Sequence, residues 1–264
     1  MIAKEREKNQ LNLLNKTKKI INNFINFITK LYDLIMDFKN FDSNFKIFTP
    51  IFLAIFIFAL LASVYFIYKS PIDYQQSNAV YIMYIHVPAA WMALFIYTIM
   101  ACLNLSAFVW KNPFFYVISR NIASTGAIFC IITLITGSLW GKPIWGTYWA
   151  WDPRLTSMLI LFFLYCGYIV TIDAFDNQEK GQKIAAIISI IGFINIPLIK
   201  FSVEYFNSLH QPASVFRKDG VSIERSMFIP LMTMFLTYFS LFIFIALIKI
   251  KTEILTKKII RNKL

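Results

Sequence analysis

The sequence predicts an all-α, polytopic integral membrane protein with six transmembrane helices and both termini on the cytoplasmic side. Three observations predict it. The 264 residues are 58% hydrophobic and only 15% charged, with a mean hydropathy of +0.60, whereas a soluble domain is about a quarter charged. Six runs approach the ~20 apolar residues that a bilayer-crossing helix needs. Lys and Arg are shared unevenly between the two sides that those runs define. The same composition excludes a disordered chain, which needs low hydrophobicity. Three cysteines, an odd and small number, exclude a disulfide scaffold.

Residues 1–46 form a basic extension with nine Lys and Arg. They lack the short apolar core and small-residue cleavage site of a signal peptide. Ile21, Phe24, Ile28, Leu31, Ile35 and Phe38 recur every three or four residues, with Lys18, Lys19 and Lys30 beside them. That spacing is expected of an amphipathic helix on the inner membrane face, the alternatives being a poorly ordered tail or a helix packed on a partner.

The membrane domain is expected over 47–248, with spans near 47–68, 87–110, 122–140, 155–172, 184–199 and 227–248. The first and last are almost uninterrupted. The fifth is short and carries Pro197, which a membrane helix tolerates where neighbours satisfy the freed carbonyl. Residues 249–264 are a basic cytoplasmic tail. Nineteen of the 26 Lys and Arg lie on the N-terminal side and seven on the other, so the positive-inside rule places both termini inside. Resolved by segment, the net charge of +12 orients the spans. No nucleic-acid partner is expected.

The chemistry concentrates on the outer side, in segments 69–86, 140–156 and 200–226. Both histidines of the chain are there. His86 precedes Pro88, which suits the first turn of the second span, so His86 is expected just before that helix. His210 lies in the last outer loop. Four of the six tryptophans, Trp140, Trp145, Trp149 and Trp151, fall within twelve residues punctuated by Gly and Pro. An interfacial aromatic belt scatters its rings over all helix ends. A concentrated cluster can instead offer ring faces and indole N–H groups to a flat ligand. Asp152 followed by Pro153 reads as N-cap and first residue of the fourth span, which leaves Asp152 open to a structural or a ligand-facing role. Arg154 sits at a helix start, where the dipole disfavours a cation, and points to an anionic partner, a lipid headgroup or a ligand carboxylate.

Two histidines and an aromatic platform together suit haem. Its iron takes imidazole on both faces, and its propionates attract cations such as Arg154, Lys142, Arg217 or Arg225. Histidines at the outer edge fit a haem presented for hand-over better than a cytochrome b that carries electrons through the bilayer. Cys102, Cys130 and Cys166 lie in apolar spans and read as small buried residues. No Cys-x-x-Cys-His is present, so the chain is not itself a c-type cytochrome.

The stretch Trp145-Gly-Thr-Tyr-Trp-Ala-Trp-Asp-Pro-Arg-Leu-Thr156 resembles the WWD signature of haem-handling proteins of cytochrome c maturation. Tyr84-Ile-His-Val-Pro-Ala-Ala-Trp91 and Leu209-His-Gln-Pro212 are similar to one branch, the CcmC or haem exporter protein C family. The resemblance covers about 47–248. It implies a six-helix bundle with the signature on the periplasmic side, and transient haem b held by His86 and His210. It further implies that Trp145, Trp149, Trp151 and Asp152 form a platform and docking surface for the haem chaperone CcmE. The other partners implied are CcmD and the CcmA–CcmB transporter. Tyr205-Phe206 departs from the family's paired tryptophans, and the extension is longer than the family's. A haem lyase subunit is an alternative, disfavoured because such proteins carry extra spans and histidines. A strict transporter is another, disfavoured because the span interiors carry almost no charge.

Overall fold

The computed structural model describes residues 38–264 except 207, 213, 216, 218, 219 and 264. The periodicity from Ile21 to Ile35 therefore lies outside the described residues. The chain divides into two units, Met1–Pro50 and Ile51–Leu264.

The elements are α1 (Phe38–Lys69), α2 (Val80–Trp110), α3 (Pro113–Trp145), α4 (Pro153–Asp173), α5 (Gln178–Gly192), α6 (Asn195–Tyr205) and α7 (Arg225–Lys263). No β-strand occurs among the described residues. Six stretches are long and apolar enough to cross a membrane: Asn44–Lys69, Val80–Trp110, Pro113–Trp145, Pro153–Asp173, Gln178–Tyr205 and Arg225–Ile260. The protein is a multi-pass α-helical membrane protein.

Local chemistry sets the helix ends. Asn112 caps α3, its side-chain oxygen accepting the Phe114 N–H at 2.9 Å, and Pro113 follows where no N–H is needed. Gly146, with φ of +77°, stops α3 in the left-handed region that glycine occupies without strain. Asn177 caps α5. The fifth span is broken between α5 and α6, and Pro197 falls in the first turn of α6, where its missing N–H costs no helical bond. The Asn195 amide ties the break to the Ser157 carbonyl at 2.8 Å.

The helices run beyond the expected spans at several ends, among them the following three. α2 starts at Val80, so His86 lies inside a helix, in its second turn, and not just before one. Nothing in Val80–Ile85 stops a helix, and an interior Pro88 is tolerated in a membrane bundle. α3 continues past Trp140 to Trp145. α7 continues through the basic tail.

α2 and α3 pack most extensively, and α2 also meets α5 and α7, so α2 is the central helix. Tight approach depends on small residues, as between membrane helices generally. Tyr165 lies across Gly126, where an added Cβ would come within 2.2 Å of the phenol oxygen. The same hydroxyl donates to the Ala93 carbonyl at 2.8 Å and so links α4 to α2. Tyr97 meets Tyr165 edge-on at 5.0 Å between centroids. Ser63 of α1 reaches Thr237 of α7 at 3.0 Å. Of the cysteines, Cys130 is buried, Cys166 half-buried and Cys102 exposed, so burial does not extend to all three.

Candidate functional site

One end of the Ile51–Leu264 unit gathers the C-termini of α1, α3 and α6 and the N-termini of α2, α4 and α7. Asp152 is its hub. It is 4% exposed and caps α4, Oδ1 accepting the N–H groups of Arg154 at 2.9 Å and Leu155 at 3.3 Å. The same carboxylate holds the last loop of this face. Oδ2 accepts the Ser208 hydroxyl at 2.7 Å and the Leu209 N–H at 2.8 Å, and Oδ1 meets His210 Nδ1 at 2.9 Å. Ser208 in turn accepts the His210 N–H at 3.1 Å. Asp152 thus fills the structural role, as cap of α4 and as anchor of the His210 loop.

The electrostatics fix the proton. Burial raises the Asp152 pKa, but the Ser208 hydroxyl, the Leu209 N–H, His210 and the Arg154 N–H outweigh it and hold the carboxyl below its ordinary 3.8. Burial lowers His210 from its ordinary 6.5, and Asp152 opposes that shift without reversing it. At neutral pH the contact is thus a neutral imidazole donating Nδ1–H to a carboxylate. Trp145 lies edge-on to the His210 ring at 4.9 Å.

His86 is held from α3. Thr136 donates its hydroxyl proton to the Ile132 carbonyl at 2.6 Å, so its oxygen accepts from His86 Nδ1, 3.1 Å away. Gly137 provides the room, since a Cβ there would fall 2.9 Å from His86 Cε1. Trp140 stands edge-on to His86 at 5.5 Å, and its indole N–H donates to Gln76 Oε1 at 2.9 Å. His86 and His210 lie within electrostatic range of each other, and Arg154 within range of both. Arg154 reaches α6 through long bonds, Nε to Ser202 Oγ at 3.4 Å and Nη2 to the Lys200 carbonyl at 3.3 Å.

The fold thus places Trp140 against His86, and Asp152, Trp145 and the Arg154 N–H around His210 and its anchor. Trp149 and Trp151 form a separate pair, edge-on at 5.7 Å, with Trp151 80% exposed. Lys142 is held by the turn, its ammonium on the Gly146 carbonyl at 3.0 Å and over the Tyr148 ring. Tyr205 and Phe206 are exposed. Sequence reasoning missed Gln76, Thr136, Gly137 and Ser208. Only Gly137, a glycine in an apolar run, carried any signal, because such a residue can mark close approach.

Both rings are anchored through Nδ1, so Nε2 is the nitrogen each could offer to a metal. No group of three or more His, Cys, Asp and Glu side chains converges as a metal shell among the described residues. Two imidazoles alone suit a metal whose other positions are already filled, and edge-on indoles suit a planar carrier for it. The donor set fits haem.

The chain matches the family described as Heme exporter protein C over residues 34–264. It is similar to the Heme exporter protein C of Bradyrhizobium diazoefficiens, 45% identical over 190 residues that make up 72% of each chain. A ccmC-like mitochondrial protein of cytochrome c biosynthesis from Marchantia polymorpha is 48% identical over 175 residues, 66% of this chain and 74% of that one. The Heme exporter protein C of Haemophilus influenzae is 40% identical over 186 residues, 70% of this chain and 76% of its own.

Proposed function

The chain belongs to the haem exporter protein C family, and from that premise we propose that it binds haem b transiently and passes it on in cytochrome c maturation. The observation that carries the reading is that both histidines of the sequence have Nδ1 held by the protein and an indole edge-on to the ring. Haem is the cargo, and its iron supplies two axial positions for nitrogen ligands.

His86 and His210 are the axial ligands, one from α2 and one from the last loop. The second sits in a loop tied down through Asp152 and Ser208. A ligand on a loop can be withdrawn more easily than one on a helix, which suits a site that must release what it binds. Asp152 is a positioning residue: it sets the His210 tautomer and raises the basicity of Nε2. Trp140 and Trp145 wall the site, and Arg154 is a cation within electrostatic range of both histidines and the counter-charge for a propionate. Trp149 and Trp151 present ring surface to the haem chaperone CcmE, with CcmD and the CcmA–CcmB transporter as further partners. The protein binds and transfers without catalysing a covalent step. It is set in a bacterial inner membrane with termini inside and the histidines on the periplasmic face, as the distribution of Lys and Arg favours. Relatives include bacterial proteins and a plant mitochondrial protein, and a mitochondrial inner membrane is the alternative setting for the same reading.

The test is the absorption spectrum of protein purified from haem-replete membranes lacking the chaperone. Wild type is expected to carry a Soret band that His86→Ala and His210→Ala each lose. An intact band in both variants refutes the ligand assignment.

A further inference from the structure

The end of the bundle opposite the histidines carries a second polar constellation. A cleft of about 500 Å³ lies between the start of α3, the start of α5 and the end of α7. Arg120, Asn121, Gln178, Lys249, Glu253 and Lys257 line it. Glu253 is the only carboxylate among the lining side chains and is already engaged. It accepts from Arg120 Nε at 2.6 Å, from Asn121 Nδ2 at 2.7 Å and from Lys257 Nζ at 3.1 Å. Arg120 and Glu253 are both largely buried, 13% and 17% exposed by side chain. Lys249 is half-buried and meets a neutral group, the Ser124 hydroxyl. Among the described residues it has no carboxylate partner.

The cleft therefore holds three cations and one carboxylate, which pairs with Arg120 and Lys257 and leaves Lys249 on a hydroxyl. A half-buried ammonium beside a hydroxyl alone is poorly compensated, and an anion entering the cleft would complete it. The rim supplies a second clue. Ile248 and Ile260 line the same cleft and are 38% and 55% exposed. Cations set against exposed apolar side chains at the end of a membrane span mark the depth of lipid headgroups. A soluble anion would use the cations and ignore the isoleucines, whereas a phospholipid uses both.

We infer that this cleft binds the phosphate of an anionic phospholipid, with Lys249 and Arg120 facing the phosphate and the acyl chains along Ile248 and Ile260. The inference rests on the membrane fold and is independent of the haem reading. A headgroup seated here would bridge α3 and α7, the helices that at their other ends carry Thr136 and open onto the last loop.

The test uses the full chain in detergent with an equimolar mixture of phosphatidylglycerol and phosphatidylcholine, the retained lipid being counted by native mass spectrometry. Wild type is expected to retain phosphatidylglycerol in preference. Lys249→Gln should lower that preference about fivefold, the usual effect of one cation near a membrane surface. Lys249→Arg should keep it. The haem spectrum of Lys249→Gln should match wild type, which separates this site from the other. Equal retention of the two lipids, an unchanged preference in Lys249→Gln, or full displacement of the lipid by millimolar inorganic phosphate each overturns the inference.

Discussion

Asp152→Asn isolates the link between the α4 cap and the histidine loop. Asn is as good an N-cap as Asp, so the start of α4 survives. An amide has one accepting oxygen where the carboxylate has two. If that oxygen keeps the Arg154 and Leu155 N–H groups and His210, the amide nitrogen faces Ser208 and the Leu209 N–H, which then lose an acceptor. Hydrogen bonds to a charged acceptor contribute about 1.5–3 kcal/mol each. Losing two weakens loop docking by about 3 kcal/mol at the lower end, and water at the rim offsets part of that. Replacing a group that orients a metal-ligating histidine typically costs 10–100-fold in affinity, or about 1.4–2.7 kcal/mol. Haem loss from purified protein to excess apomyoglobin, followed by the Soret shift, should therefore be about 10–100 times faster in Asp152→Asn. Helical content should stay unchanged. Dissociation rates within twofold of each other would show that Asp152 does not position His210, and the reasoning would fail.

Gly137→Ala is expected to lower thermal stability slightly, because displacing the anchored His86 ring costs about 1–3 kcal/mol against about 1 kcal/mol gained in helix propensity. It should impair haem retention, because the new Cβ meets His86 Cε1 at 2.9 Å; unaltered retention would deny the close approach any role. The pH profile follows from the lowered values at His210 and Asp152. A depressed His210 stays neutral below 6.5, so the Soret band should be constant from about pH 8 to 6.5, where an ordinary imidazole is half protonated. A midpoint at or above 6.5 contradicts this. Asp152 has a folded value below its unfolded one, so its contribution is full above about 3.8 and lost as pH falls through the folded value. Acid unfolding monitored by circular dichroism should accordingly shift to higher pH in Asp152→Asn. Trp151→Ala, which removes a ring that is 80% exposed, should leave haem loading nearly intact and reduce haem transfer to the chaperone. Equal transfer counts against the docking surface.

Much of the fold was legible because membrane spans are local. A run such as Phe52–Phe66 declares its solvent whatever surrounds it, and Asp152-Pro153 marks a helix start by its own backbone preferences. The start of α2 was less legible. Pro88 reads as a first-turn residue where a helix meets water, but a packed membrane helix carries a proline inside, and seven apolar or aromatic-rich residues precede it. The site residues were legible by type, since only two histidines exist and the tryptophans cluster.

The sequence alone therefore determined the class of protein, the number of spans and the chemical groups available to the site, because hydropathy and capping depend on near neighbours. Only the tertiary structure decided what each group does. Asp152 meets His210 across 58 residues, and Thr136 meets His86 across 50. A hydrogen bond requires an approach of about 3 Å, and no local pattern encodes such a distance between residues so far apart. Helix packing sets it, and with it the tautomer of each imidazole and the nitrogen left to bind.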